Sequence, residues 1–252
     1  MLVDSYILCT APRSGSTLLC RMLAQTGVAG RPDSYFHEPS LEGWLADWGM
    51  SADPAETEQE TLARVFARAV EEGRGGTGIF GLRLQRRSAD FFFEKLALLY
   101  PEATGDMSRL AAAFGRVGFL YLRRADKVAQ AVSFVKAEQS GLWHRAADGS
   151  ELERLAPPQA PAYDAERLSA EVARLAAYDA AWETWFARAG IAPLRLTYEA
   201  LAANPRETLR AALEHLGLDP AAAEGATPDV ARLADATSEA WAVRFRREAG
   251  LA

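Results

Sequence analysis

At 252 residues, 49% of them hydrophobic and 10% aromatic, the chain can form one large domain or two small ones and is too apolar for intrinsic disorder. Its 28 Lys and Arg against 34 Asp and Glu leave a net charge of −6, which argues against a nucleic-acid binder but leaves room for a locally basic pocket around a small anion. No apolar run approaches a membrane span, and Asp4 stands where an export signal carries positive charge, so the expectation is a cytoplasmic protein.

Tyr6 to Cys9 predicts a strand, a Pro-Arg-Ser-Gly-Ser-Thr turn follows, and Leu18, Leu19, Met22 and Leu23 recur at helical spacing up to a stop at Gly27. After a loop through Pro39 come two helices, Trp44 to Trp48 and Glu56 to Glu72, the second with Leu62, Val65, Phe66 and Ala69 on one stripe. A glycine-rich break at Gly73 to Gly78 separates them from a strand at Ile79 to Leu84 and a helix at Asp90 to Tyr100, with Phe91, Phe92 and Phe93 at its front. Val117 to Leu122 is a continuous apolar run of the kind buried on both faces of a parallel sheet, and a helix from about Asp126 follows it. Gly141 to Pro161, with Gly, Asp-Gly-Ser and Pro-Pro signals, reads as a loop, either a mobile lid or a plain linker. A helix at Glu166 to Arg188, a strand at Leu194 to Thr197, a helix opened by Asn204-Pro205 and closed at Gly217, and a basic helix at Ser238 to Glu248 complete the chain. Strand and helix alternate throughout, which predicts a single α/β domain over 1–252, a layered sandwich on a mostly parallel sheet.

Cys9 falls in a strand and Cys20 in a helix, so reduced, buried thiols are expected rather than a disulfide. His37, His144 and His215 stand alone, with no spacing that suggests a metal site.

The stretch carrying most chemistry is APRSGSTLL, residues 11 to 19. Backbone N–H groups of Ser14, Gly15, Ser16 and Thr17, at the start of a helix, form an anion site reinforced by the helix dipole. Gly15 allows close approach of a phosphate, and Arg13, Ser16 and Thr17 add side-chain donors. The ATP-binding loop G-x-x-x-x-G-K-[ST] is excluded in its strict form, because Gly15 fills the position of the lysine.

This loop resembles the 5′-phosphosulfate loop of sulfotransferases, and RSGSTLLCRMLAQTGVAGRP is closer still to the bacterial trehalose-type family. FLYLRRADKVAQAVSF resembles that family's 3′-phosphate site, with Arg124 at a strand end and Ser133 nine residues on. LTYEALAANPRETLRAALEHLGLD and SEAWAVRFRREAG resemble its Tyr-Glu-x-Leu and Trp-x-x-Arg-x-Arg segments. The resemblance runs from Tyr6 to Gly250, with weak stretches near 50–75 and 141–165. It implies a P-loop-like three-layer fold and 3′-phosphoadenosine 5′-phosphosulfate as donor. It also implies a hydroxyl acceptor on a carbohydrate or glycolipid headgroup, and suggests a homodimer. No metal is expected, since Arg13, Arg124 and helix N-termini can neutralise the donor phosphates.

The family's base is a Glu immediately before two aromatics, but here Ser34 precedes Tyr35 and Phe36. Other carbohydrate sulfotransferases carry the acid in a Phe-Glu-Pro segment, which Phe36-His37-Glu38-Pro39 resembles with one residue inserted. Glu38 is therefore the expected base, with His37 and Asp33 in reserve, and Arg13 is expected to stabilise the leaving phosphate. Arg83, in the strand GLRL, matches a basic position of that family and is a candidate to reach the sulfuryl group or the acceptor, with plain surface charge as the alternative, and His37 is a further candidate acceptor contact. Arg244 and Arg246 are weaker candidates, since they also suit a helix end. Trp182, Trp185 and Phe186 read as core, whereas Trp143 is a candidate contact for adenine or acceptor. Two rivals stay open: a magnesium-dependent phosphotransferase of the P-loop class, and a nucleotide-binding protein without catalysis.

Overall fold

The computed structural model describes residues 2–251. Four parallel strands, β1 (Ser5–Thr10), β2 (Phe80–Gln85), β3 (Val117–Arg123) and β6 (Leu194–Thr197), form a sheet in the order β2-β1-β3-β6. β1 is buried along its whole length, as a central strand covered on both faces must be. Its side chains alternate between the two covering layers. Ile7 and Cys9 face Trp44, Phe66, Phe92 and Trp182, while Tyr6 and Leu8 face Leu19, Met22, Leu209 and Leu213.

The first layer contains α2 (Leu41–Asp47), α3 (Glu58–Arg74), α4 (Arg86–Leu99), α5 (Asp106–Phe114) and α7 (Ala165–Ala189). On the opposite face lie α1 (Ser16–Gln25), α9 (Pro205–His215) and a 3-10 turn at Pro220–Gly225, with the short α8 (Tyr198–Ala203) leading in from β6. A third apolar cluster joins α6 (Lys127–Ser140), α7 and α10 (Ala236–Glu248) through Val128, Val132, Leu168, Leu175, Trp241 and Phe245. The protein is thus a three-layer α/β sandwich. Among the described residues no helix is long and apolar enough to cross a membrane.

Trp182, Trp185 and Phe186 belong to the core, as their spacing predicted, and the Trp182 indole donates to the Thr10 carbonyl at 2.9 Å. Three local readings are corrected. The helix expected from Asp90 begins at Arg86, because β2 runs straight into α4 with Gln85 as the N-cap, so Phe91 to Phe93 lie inside the helix. α5, bracketed by Gly105 and Gly115, was not anticipated; its nine residues are too few for a convincing period. The segment 141–161 is not a plain loop: it holds an antiparallel hairpin, β4 (Leu142–Arg145) and β5 (Glu151–Arg154), around the Asp148-Gly149 turn. β4 contributes only four residues, too few to show the strand period against turn residues on both sides.

Candidate active site

In the strand order β2-β1-β3-β6, successive connections leave β1 in opposite directions, which opens a crevice at the C-terminal strand ends. A cavity of about 950 Å³ occupies that place. Arg13 follows β1, Gln85 ends β2 and Arg87 follows it, Arg124 follows β3 and Tyr198 follows β6, and all of them line it. Lys and Arg outnumber Asp and Glu nine to five in its lining, so a chain of net charge −6 presents a basic interior here.

The loop from β1 to α1 requires two left-handed backbone positions, Arg13 (φ 60°) and Gly15 (φ 87°), the latter being the N-cap of α1. A Cβ on Gly15 would stand 2.7 Å from the Tyr198 ring, so both conformation and packing demand glycine there. Gly15, Ser16 and Thr17 line the cavity at the first turn of α1. Ser14 differs: its side chain is fully buried and hydrogen-bonds the Thr10 hydroxyl, which anchors the loop to β1 and leaves only its backbone to serve an anion.

Arg13 Nε donates to Ser133 Oγ at 3.0 Å, and Nη1 donates to the Trp143 carbonyl at 2.6 Å. Residues 120 apart in sequence are therefore in contact, and Arg13, Arg124 and Ser133 share one wall. Burial, and then the charge of Arg124, push the Arg13 pKa down to about 10, which leaves it cationic at neutral pH. Arg124 is itself buried, with its guanidinium 4.4 Å from the Tyr198 ring centroid and its Nε without a hydrogen-bond partner. An unpartnered guanidinium N–H and, on the same wall, a serine hydroxyl that keeps its hydrogen to donate form a donor set suited to a phosphate. The turn that carries it is fixed by Glu199, whose carboxylate accepts the N–H groups of Ala125 and Asp126. The Tyr-Glu-x-Leu segment thereby acquires a physical role, in which Tyr198 supports the Arg124 side chain and Glu199 its backbone.

Arg83 forms the second wall. It donates to Thr17 Oγ1 at 2.8 Å, to Ser34 Oγ at 2.7 Å and to Asp33 Oδ1 at 2.7 Å. Asp33 is thus committed to Arg83 and does not line the cavity, while His37 and Glu38 do. Arg87, which sequence patterns did not single out, holds both of them: its Nη2 contacts His37 Nε2 and donates to Glu38 Oε1 at 3.0 Å. Burial and the Arg87 charge lower the His37 pKa, so its ring is neutral near pH 7. Arg246 also lines the cavity, paired with Asp126 at 2.6 Å, whereas Arg244 pairs with Glu248 outside it.

The hairpin closes the site from above the loop. Trp143 lines the cavity, packs edge-on against Phe134, and serves the loop through its carbonyl, which accepts from Arg13. His144 Nε2 lies 3.1 Å from Thr17 Oγ1 and 3.5 Å from Glu153 Oε2. His144, Arg145, Glu153 and Arg87 all line the cavity without having been expected there. No sequence motif marks these four residues; the Asp148-Gly149 pair signals the hairpin's turn but not which cavity its strands line.

A model of the Stf0 sulphotransferase family matches residues 5–248. Two proteins named trehalose 2-sulfotransferase are each 29% identical to this chain. The one from Mycolicibacterium smegmatis aligns over 97% of this chain and 95% of its own length, and the one from Mycobacterium tuberculosis over 98% and 96%. Among solved structures, a sulfotransferase domain from the Synechococcus PCC 7002 olefin synthase is similar with a TM-score of 0.47 and 16% identity, covering 97% of this chain and 88% of that one. A sulfotransferase from Alicyclobacillus acidocaldarius is similar with a TM-score of 0.44 and 16% identity, covering all of this chain and 96% of that one.

Proposed function

Because the chain belongs to the Stf0 sulphotransferase family, we propose that it moves a sulfuryl group from 3′-phosphoadenosine 5′-phosphosulfate to a hydroxyl of a carbohydrate or glycolipid-type acceptor. The observation that carries this reading is the convergence of Arg13, Arg124 and Ser133 on one wall of a basic cavity whose floor is the glycine-capped start of α1. Those groups suit a ligand with phosphate at two ends. The α1 end, with the Gly15, Ser16 and Thr17 amides, Arg13 and Arg83, takes the 5′-phosphosulfate, and Arg124 with Ser133 takes the 3′-phosphate. The donor supplies the activated sulfuryl group. Binding, orientation and proton transfer fall to this chain's own residues.

Glu38 is the proposed base for the acceptor hydroxyl, and His37 stands beside it as an acceptor contact. Their shared hydrogen bonds with Arg87 fix both side chains against the cavity. Arg13 and the loop amides are placed to stabilise negative charge on the departing phosphate oxygen. The two relatives named trehalose 2-sulfotransferase make trehalose the first acceptor to offer. The same reading carries a homodimer in the cytoplasm, and light scattering checks the former.

Thermal shift with adenosine 3′,5′-bisphosphate, the expected product, against ATP plus magnesium tests the donor. At a hundredfold excess over the dissociation constant, binding is worth about 2.7 kcal/mol, or roughly 5–10 °C for a chain of this size. A shift only with magnesium-ATP refutes the proposal and favours a phosphotransferase. Bisphosphate binding with no transfer to any sugar offered favours a nucleotide-binding protein without catalysis.

A further inference from the structure

Two consecutive hairpin residues touch the loop that begins α1, one through its backbone and one through its side chain. The Trp143 carbonyl takes Arg13, and the His144 ring reaches Thr17 while the Trp143 ring turns away to Phe134. A threonine hydroxyl has two lone pairs and one hydrogen. Arg83 Nη1, which can only donate, fills one lone pair of Thr17 Oγ1 at 2.8 Å. His144 Nε2 lies 3.1 Å from the same oxygen, and the Glu153 carboxylate 3.5 Å from that nitrogen favours a hydrogen on it. With both lone pairs filled, the hydroxyl hydrogen is left for a ligand in the cavity that Thr17 lines.

We propose that His144 is a positioning residue of the transfer site: together with Arg83 it turns the Thr17 hydroxyl toward the tetrahedral oxyanion of a nucleotide 5′-phosphate or phosphosulfate at the first turn of α1. The inference rests on the donor site proposed above. Its electrostatics are consistent. The ring faces Arg13 from the loop, Arg21 from α1, Arg83 from β2 and Glu153 from β5, and burial with the three cations brings its pKa down to about 3. The imidazole is therefore neutral at working pH, with one fixed N–H and no charge to compete with the anion's own arginines. Across 127 residues of sequence, the hairpin adds a group that the α1 loop cannot supply for itself.

Calorimetric affinities of wild type, His144→Ala and His144→Gln for adenosine 3′,5′-bisphosphate and for adenosine 3′-monophosphate test this. The second ligand lacks the 5′ oxyanion. Wild type binds the bisphosphate, His144→Ala weakens it about tenfold, the worth of about one hydrogen bond in an enclosed site, and His144→Gln, whose amide reaches the same position, restores it to within about threefold. All three bind the 3′-monophosphate alike. Bisphosphate affinity unchanged in His144→Ala, equal weakening of both ligands, or no rescue by glutamine each overturns the proposal while leaving the donor site standing. Wild type that binds no bisphosphate removes the donor site and the inference with it.

Discussion

Replacing Arg13 by alanine should separate the energetics of the fold from those of the site. In the free protein the guanidinium is enclosed beside Arg124, and its pKa falls below the usual arginine range to about 10. That drop corresponds to at most about 3 kcal/mol of unfavourable charge burial, an upper bound because the group keeps some access to the cavity. Arg13→Ala removes this cost but leaves the Trp143 carbonyl and Ser133 hydroxyl without their donor, at about 1–3 kcal/mol for each if no water replaces it. The two effects offset, so the melting temperature of the free protein should move by only a few degrees. Donor energetics have no such offset. Two charge-assisted hydrogen bonds at about 1.5–3 kcal/mol each amount to about 3–6 kcal/mol, or a roughly 10²- to 10⁴-fold loss in kcat/KM. Paired melts with and without adenosine 3′,5′-bisphosphate, and mass-spectrometric turnover with trehalose, read both. A variant that keeps its ligand shift and stays within about tenfold of wild-type turnover would refute the placement of the phosphosulfate at this loop.

Ser133→Ala should weaken the bisphosphate about tenfold while leaving adenosine 5′-phosphosulfate, which lacks the 3′-phosphate, unaffected; equal loss for both in calorimetry would remove Ser133 from the 3′-phosphate site. Glu38→Gln should keep bisphosphate affinity and lower kcat by about 10²- to 10⁴-fold, and a full rate would pass the role of base to His37 or another group. Below about pH 6.5 the fold should lose stability. The unfolded chain protonates His144 there while the folded one resists down to about 3, so the unfolded state binds more protons and stability rises with pH across that window. The loss amounts to a few kcal/mol by about pH 4, with His37 acting in the same direction. His144→Gln should flatten the melting-temperature profile between those limits, and an unchanged slope would show that the ring titrates normally.

The strand–loop–helix that opens the chain was legible because its signals are local. Apolar Tyr6 to Cys9, glycine at 15 and a helical stripe from Leu18 lie within a few turns of chain, and their propensities agree with the tertiary outcome. Arg124 and Ser133 were singled out by family resemblance rather than by local propensity, and the fold places both on the cavity wall across one strand-to-helix turn. Helical periodicity likewise sent Trp182, Trp185 and Phe186 to the core. What the chain order left open was which strand ends meet. The parallel order β2-β1-β3-β6 brings Arg87 against His37 and Glu38, and Glu199 against the turn that bears Arg124. The hairpin was hard to read for a further reason: Asp148-Gly149 signals its turn, but β4 and β5 are four residues each, and β4 is held by Arg13, Phe134 and the backbone around Asp229 and Ala231. A residue such as His144 becomes a site residue only when a segment over 120 positions away supplies its partner, and one-dimensional periodicity carries no information about that contact.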